Sequence, residues 1–200
     1  MTKSAAPKMN KKALLREGSI GRLTQAAFRL IVAKGYHACT LQDIAEAAGL
    51  TKGAIFFYFE SKENLLLQLL DIAEAHIVDP LIEHLDEKRG TAPEKIASFF
   101  RFTSKQGIDR PHELLCLIKM SIESRTGTDI ADRRVSEIYE RKASGELPRS
   151  LPAREFATLV VATHDGMMLE WHRRGGGIDG RLFVRTVWQT FLNGILGPKA

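Results

Sequence analysis

Cysteine is scarce in this sequence, and long apolar runs are missing from it. The two cysteines, Cys39 and Cys116, lie far apart in the 200-residue chain, which excludes the closely spaced cysteines of zinc and redox motifs. No stretch approaches the roughly 18 consecutive apolar residues of a membrane span. Residues 1–12 are polar and basic and lack the apolar segment of a secretory signal. We therefore expect a cytoplasmic protein with reduced thiols and no membrane partner.

Catalytic motifs are equally few. The six histidines form no H-E-x-x-H or H-x-x-x-H pair, and no G-x-S-x-G or P-loop motif occurs. His164 and Asp165 are sequence neighbours, which point about 100° apart on a helix, so we expect no relay between them. The glycines at 175–177 are expected to connect two helices rather than cradle a phosphate, which needs a preceding strand. The sequence predicts no enzyme activity, no catalytic residue, no metal and no cofactor.

Signals for β-structure are also missing, whereas helical periodicity is strong. No sustained alternation of apolar and polar residues occurs, and no Asn-Gly or Asp-Gly turn joins two strand-like runs. With 44% apolar and 26% charged residues, the chain has an ordinary globular composition. The first helical stripe consists of Leu23, Ala26, Ala27, Leu30 and Ile31. We predict an all-α fold of about nine helices.

Positive charge is concentrated in the first third of the chain. Residues 1–62 contain ten Lys and Arg against four Asp and Glu, a net charge of +6, whereas residues 63–200 contain 19 basic and 20 acidic residues. A concentrated basic region is the electrostatic footprint of a module that binds a polyanion. A basic tail that only improves solubility gives the same pattern, so charge alone leaves both interpretations open.

Capping signals divide this basic third into short helices. The first helix ends at Gly35, and Thr40 followed by Asp43 matches a capping box that opens the second. Gly49 ends the second helix, and a third begins near Thr51.

Later helices are longer and less distinctive. Ser61 is the expected cap of a long fourth helix, which Pro80 is expected to end or kink. Further helices are predicted at about 92–106, 111–126, 128–144, 152–174 and 180–196.

The segment from Thr40 to Phe59 matches a helix-turn-helix. Two helices of about two turns are joined by a short turn that contains Gly49. Ala45 is small enough for the two helices to approach closely, and Gly49 can adopt the left-handed conformation that ends the first helix. The remaining apolar residues are spaced to form a small core: Ile44, Leu50, Ile55 and Phe59.

This segment, extended to about Arg16 and Leu67, resembles the DNA-binding domain of the TetR family of transcriptional repressors. The resemblance implies a helix-turn-helix DNA-binding domain with a basic arm at 1–62 and a ligand-binding and dimerisation domain at 63–200. A helical hairpin packed only for stability is the alternative. The matching residues are Leu23, Ala26, Ala27, Gly35-Tyr36, Thr40 through Gly49, Gly53 through Phe59, and Ser61-Lys62-Glu63-Asn64-Leu65.

The resemblance also implies which residues contact double-stranded DNA. In this family the second short helix enters the major groove, and its base-facing positions are held here by Lys52, Gly53, Ala54 and Phe57. Positions that usually bind phosphates are held here by Thr40, Thr51, Tyr58 and Lys62. Gln42 matches a further position that can reach DNA. The basic arm either follows neighbouring phosphates or is a tail that raises the local positive potential.

Phe56 departs from the family pattern, which most often has Tyr at this position. A phenyl ring cannot donate a hydrogen bond to phosphate, so Tyr58 and Lys62 are expected to anchor the DNA backbone more heavily. Lys52 is the only long polar side chain among the base-facing positions and can donate to guanine O6 and N7. The apolar side chains beside it can contact thymine methyl groups.

The last two predicted helices carry broad apolar faces. They resemble the last two helices of the family, which pair across a two-fold axis, so the resemblance implies a homodimer. Interior packing is the alternative for either helix. The candidate interface residues are Phe156, Val160, Met167, Phe183, Val187 and Phe191.

A ligand cavity among the middle helices is a further implication of the family resemblance. Methionine, aromatic and thiol side chains suit such a lining, although ordinary core packing is the alternative for each. The candidates are Phe99, Phe102, Cys116, Met120, Met168 and Trp171. This lining favours a largely apolar ligand, which His164 or Glu123 would orient.

The sequence therefore predicts a TetR-like repressor that binds a palindromic operator as a homodimer and is released by a small, largely apolar effector. A dimer is expected because one short recognition helix contacts too few base pairs, and two place half-sites about 34–36 Å apart or at a multiple of that distance. Ligand entry is expected to shift the helix that begins at Ser61-Lys62 and so change the separation of the recognition helices. The alternative is a helical protein-interaction scaffold whose helix-turn-helix no longer reads DNA.

Overall fold

The computed structural model describes residues 11–123, 153–177 and 179–195. All regular secondary structure in these ranges is helical, which confirms the all-α prediction. The chain divides into two compact units, Met1–Asp71 and Ile72–Ala200. No helix in the described ranges is both long and apolar enough to cross a membrane.

The first unit consists of one long helix and three shorter ones that pack around the predicted apolar stripe. It contains α1 (Lys11–Lys34), α2 (Leu41–Ala47), α3 (Lys52–Tyr58) and most of α4 (Lys62–Ala73). As predicted, α1 ends at a glycine: Gly35 has a φ of 85° and its N–H donates to the Ile31 carbonyl at 2.8 Å. The buried core of this unit includes Leu23, Ala26, Ala27, Ile31, Ile44, Ile55, Phe59, Leu65 and Leu69.

The described part of the second unit is also helical, with α-helices of 9 to 21 residues. After a π-helical turn (Glu74–Val78) come α5 (Asp79–Glu87), α6 (Ala92–Asp109), α7 (Pro111–Glu123), α8 (Ala153–Arg173) and α9 (Gly180–Ile195). The helix predicted at 128–144 lies outside the described residues. One buried cluster joins α5, α6 and α8 through Leu81, Phe99, Phe100, Val160 and Met167.

Pro80 does not end a helix; it lies in the first turn of α5, and the change of helical geometry comes just before it. In the π-helical turn, the Asp79 N–H donates to the Glu74 carbonyl five residues earlier. Because Pro80 has no N–H, it offers no donor to the His76 carbonyl four residues earlier. The side-chain amide of Gln106 on α6 donates to that carbonyl instead, at 3.2 Å.

A buried carboxylate reinforces this junction. Glu113, on α7, is 7% exposed and accepts a hydrogen bond from the Arg110 guanidinium at 3.2 Å. Its other oxygen lies 3.0 Å from Nδ1 of His76, in the π-helical turn. The π-helical turn is therefore held by side chains from both α6 and α7.

Replacing the Gln106 amide tests this arrangement. We expect Gln106→Met to lower the free energy of unfolding by about 1 kcal/mol, because the His76 carbonyl loses its side-chain donor. Hydrogen exchange should become faster at residues 74–81 than elsewhere in the second unit. Gln25→Met, at an exposed position of α1, is the matched control and should change neither quantity. Unchanged exchange at 74–81 in Gln106→Met would contradict the assigned role.

Candidate functional site

The first helix of the helix-turn-helix is opened by the predicted capping box. The Thr40 hydroxyl oxygen accepts the Asp43 N–H at 3.1 Å, and the Asp43 carboxylate accepts the Thr40 N–H at 3.1 Å. The hydrogen bonds from the Thr40 backbone and side chain hold the pKa of Asp43 below its ordinary 3.8, and the Lys34 ammonium at 3.6 Å adds to this shift. The start of α2 is thus fixed by contacts within four residues of sequence.

The turn between the two helices depends on Gly49, as predicted. Gly49 has a φ of 66°, a left-handed conformation that glycine adopts readily. Its N–H donates to the Glu46 carbonyl at 3.0 Å, and the Leu50 N–H donates to the Ala45 carbonyl at 2.9 Å. This pair of bonds is a Schellman motif, which ends α2 and directs the chain into α3.

Helix α3 is anchored on one side and open on the other. Its cap is Thr51, whose hydroxyl oxygen accepts the Ala54 N–H at 3.2 Å. Ile55 is fully buried and Phe59 is 1% exposed, so the inner side of α3 is fixed in the core. Phe57, by contrast, is 78% exposed. Phe56 beside it is 47% exposed, so the two phenyl rings give the outer side of α3 an apolar surface that a partner molecule can cover.

The other residues predicted to face bases lie on the same open side. Lys52 and Gly53 are exposed and Ala54 is half-buried. A Cβ atom at Gly53 would meet nothing within the chain closer than the Thr51 hydroxyl oxygen at 3.9 Å. Glycine in a helix costs about 1 kcal/mol relative to alanine, and neither the backbone angle nor packing requires it here. The absence of a side chain at this position leaves room for a close approach from outside.

Two of the predicted phosphate-binding residues keep a hydrogen-bond donor available. Thr40 and Thr51 both use the hydroxyl oxygen as an acceptor, so each hydroxyl hydrogen can still be donated to an anion. Gln42 is exposed and its amide donates to Glu46 at 3.0 Å. Tyr58 is half-buried, with its ring edge-on to Phe57 at a centroid distance of 5.2 Å.

Lys62 has a structural contact that sequence reasoning missed. Its ammonium donates to the His37 carbonyl at 3.2 Å and lies 4.3 Å from the centroid of the Tyr36 ring. These contacts join the start of α4 to the turn after α1. The predicted Ser61 cap of α4 is present, since the Asn64 N–H donates to its hydroxyl oxygen at 3.0 Å.

The second unit contains a cavity of about 770 Å³ between α6, α8 and the start of α9. Of the predicted lining residues, Met168 and Trp171 line it, while Phe99, Phe102, Cys116 and Met120 lie outside its lining. Two residues predicted for a dimer interface, Met167 and Phe183, also line it. The remaining apolar lining comes from Ala97, Phe100, Ile108 and Val184.

Four cationic side chains also line this cavity, which sequence reasoning did not anticipate. Arg101 and Lys105 come from α6, and Arg181 and Arg185 come from α9. The single carboxylate of the lining, Asp179, accepts the backbone N–H groups of Arg181 and Leu182 at 2.9 and 3.2 Å. The cavity therefore combines an apolar surface with an excess of positive charge.

The residues predicted for a dimer interface are only partly described. Val160 and Met167 are buried in the cluster around Phe100, and Phe183 and Val187 are half-buried against it. The side chains of Phe156 and Phe191 lie outside the described residues, as does that of Glu123. The interface assignment stays a prediction.

The prediction of no relay between His164 and Asp165 was based on their pointing apart on the helix, and this reason is wrong because their side chains are in contact. His164 Nδ1 lies 3.1 Å from Asp165 Oδ1, although the two residues are adjacent on α8. The 100° separation applies to the Cβ directions, and the side-chain torsions of both residues close the remaining gap. In the described part of the chain, no group of three or more His, Cys, Asp or Glu side chains is placed to hold a metal ion.

The capping box predicts a pH dependence. Because the pKa of Asp43 is lowered in the folded protein, its stabilising contribution is present above pH 3.8 and is lost as the pH falls through the folded value. We expect an NMR titration of the Asp43 carboxyl group to give a midpoint below 3.8. Thr40→Ala should move this midpoint upward and lower the free energy of unfolding by about 1 kcal/mol. A wild-type midpoint at or above 3.8 would show that the capping box does not form in solution.

Comparisons with known proteins agree with this geometry. The family model described as bacterial regulatory proteins of the tetR family matches residues 23–69. The fatty acid metabolism regulator protein of Bacillus subtilis (strain 168) is 26% identical over 188 residues, which cover 87% of this chain and 94% of that protein.

Two solved structures extend the likeness to the whole fold. FadR from Bacillus subtilis, solved in complex with stearoyl-CoA, has 23% identity and a TM-score of 0.67, with 89% of this chain and 98% of that chain covered. The MbdR regulator from Azoarcus sp. CIB has 34% identity and a TM-score of 0.76, and the match covers 88% of this chain and 98% of that chain. This chain therefore belongs to the TetR family of bacterial transcriptional regulators.

Proposed function

We propose that this regulator is a repressor that binds a palindromic operator as a homodimer and is released when an effector enters the cavity of the second unit. The observation that carries the DNA-binding part is the asymmetry of α3. Burial of Ile55 and Phe59 fixes one side of the helix, while Lys52, Gly53 and Phe57 remain exposed on the other. A rigidly held helix with one open side is what major-groove recognition requires.

Each residue of α3 that is predicted to face bases has a suitable partner in a DNA duplex. Lys52 can donate to guanine O6 and N7, Phe57 can pack on a thymine methyl group, and Gly53 with Ala54 allows the helix backbone to approach the base edges. The Thr40 and Thr51 hydroxyl groups, with Gln42 and Tyr58, are the proposed phosphate contacts. The Lys62 ammonium, held at the start of α4, contributes positive potential beside them.

A homodimer is proposed because a palindrome requires two copies of α3 related by a two-fold axis. Helices α8 and α9 are the proposed interface. Of the predicted residues, Val160 and Met167 are buried within the chain, but the two helices expose Leu159 and Leu182, which are 49% and 59% accessible in a single chain. Burial of such leucines against a second copy would favour the dimer, against the loss of rigid-body and side-chain freedom on association.

The cavity supports an effector with two chemical parts. Its apolar surface suits a hydrocarbon group, and its four cationic side chains suit several negative charges on the same molecule. This refines the largely apolar effector expected from the sequence. An acyl-CoA thioester has this combination, and one relative, FadR, was solved with stearoyl-CoA. We propose that the effector is an acyl-CoA.

Substitution of Gly53 is expected to change operator affinity and protein stability in opposite directions. Gly53→Ala should raise the free energy of unfolding by about 0.5–1 kcal/mol, because alanine is the better helix former and its methyl group meets open space. The same methyl group should weaken operator binding at least tenfold, since it occupies the space in which base edges approach. Operator affinity is measured by fluorescence anisotropy on the regulator's own promoter DNA.

Gly21→Ala is the matched control for this comparison. Gly21 is an exposed glycine of α1, and a Cβ atom at this position would meet nothing within 4 Å. Because Gly21 lies in the interior of a long helix, Gly21→Ala should raise the free energy of unfolding by about 1 kcal/mol, at least as much as Gly53→Ala, and leave operator affinity unchanged. If Gly53→Ala binds the operator as well as Gly21→Ala does, α3 does not face DNA. The alternative, a protein-interaction scaffold that does not read DNA, is then favoured.

Neutralising the cavity tests the effector class. Arg101→Gln and Arg185→Gln should each weaken binding of palmitoyl-CoA about three- to tenfold, because each removes one cation from a polyanion site. Binding of palmitoyl-pantetheine, which lacks the nucleotide phosphates, should change little. Arg89→Gln, an exposed arginine outside the cavity lining, is the control. Equal effects of all three substitutions on palmitoyl-CoA would contradict a polyanion site here.

A further inference from the structure

His164 is a buried imidazole whose two nitrogens have different surroundings. The residue is 2% exposed, and its Nδ1 lies 3.1 Å from the Asp165 carboxylate. An ionised carboxylate can only accept, so Nδ1 carries the hydrogen of this bond. In the neutral ring, Nε2 then presents a lone pair and acts as a hydrogen-bond acceptor. Asp165 thus fixes both the tautomer and the orientation of the ring.

Nε2 has no hydrogen-bond partner in the described part of the chain. Leaving a buried polar atom without a partner costs about 1–3 kcal/mol, and such atoms are few in native proteins. A phenyl ring would fill the same position without that cost. Nε2 is therefore a candidate acceptor for a hydrogen-bond donor from outside the chain.

His164 lies outside the lining of the cavity of the second unit, one helical turn of α8 before Met168, which lines it. His164, Met168 and Trp171 follow one another at helical spacing on one face of α8, and the latter two line the cavity. The His164 ring also packs edge-on to Phe99, at a centroid distance of 5.6 Å, and Phe99 packs on the cavity-lining Phe100 at 5.4 Å. Methionine side chains are flexible, so a ligand that displaces Met168 can reach the ring.

The surroundings restrict which donor can bind Nε2. A cationic donor is disfavoured because it would have to enter through a cavity that four cationic side chains line. An amide N–H brings a carbonyl oxygen that needs a second buried donor. A hydroxyl group is neutral and compact, and one hydrogen bond to Nε2 uses its only hydrogen.

We propose that His164 is a specificity-determining residue of the effector cavity, and that its Nε2 accepts a hydrogen bond from a hydroxyl group on the acyl chain of the effector. This inference rests on the proposed acyl-CoA effector. The regulator then distinguishes hydroxyacyl-CoA from the parent acyl-CoA of the same length. The parent leaves the buried acceptor without a partner, and sites that bind a substrate hydroxyl group discriminate strongly against analogues that lack it.

The test compares matched thioesters on the intact protein. Affinities are measured by calorimetry for saturated acyl-CoAs of 8 to 16 carbons and for the same chains hydroxylated at carbon 3 or at the terminal carbon. We expect at least one hydroxylated chain to bind the wild-type protein tenfold or more tightly than its parent. His164→Phe keeps the ring and its packing on Phe99 but removes the acceptor, so the preference should fall to about onefold.

Two further measurements exclude a purely structural effect. His164→Gln, whose amide oxygen can also accept, should restore part of the preference, and the unfolding temperature of each variant reports on folding. In the wild-type protein, the Nε2 nitrogen-15 signal should shift on adding the preferred hydroxyacyl-CoA and not on adding its parent.

The outcomes separate this inference from the proposed function. If the wild-type protein binds every hydroxylated chain and its parent equally, or if His164→Phe retains the preference, the role of His164 is overturned while an acyl-CoA effector stands. If the wild-type protein binds no acyl-CoA at all, the effector class itself is wrong and the inference is overturned with it. A bound water that stays on Nε2 would give an unshifted nitrogen signal and equal affinities, which also overturns the inference.

Discussion

The burial of Ile55 and Phe59 is the interaction on which the proposed activity depends. These two side chains hold the inner side of α3 in the core of the first unit, with 0% and 1% of their surface exposed. Because a helix is rigid over seven residues, fixing one side also fixes the direction of the other. The open side can then carry Gly53 and an exposed Phe57 without disturbing that core, and the proposed function of both residues is to contact a duplex.

The local contacts of this unit could be predicted from sequence, because each depends on residues close together in the chain. The Thr40–Asp43 capping box, the left-handed Gly49 and the Ser61 cap all form within five residues and have specific residue preferences. The contact between Lys62 and the His37 carbonyl spans 25 residues, and no local pattern indicates it. Sequence reasoning could assign Lys62 only the phosphate role that the family suggests.

The second unit shows where sequence reasoning ends. Apolar spacing identifies buried side chains but does not distinguish a core residue from one that lines a cavity. Cys116 and Met168 were therefore both predicted to line the cavity, although only Met168 does so. The positive charge of the cavity arises because α6 brings Arg101 and α9 brings Arg185 to the same place, which depends on tertiary packing. The π-helical turn before Pro80 likewise depends on a donor from another helix.

The most direct test of the account is the position of α3 on operator DNA. Both native cysteines are buried, so a cysteine introduced as Phe57→Cys can be labelled selectively with an iron chelate that cleaves nearby DNA. The account predicts two cleavage sites on the operator, symmetrically placed and about 34–36 Å apart or at a multiple of that distance. Absence of cleavage in a complex that still binds, or cleavage at a single unpaired site, would contradict it.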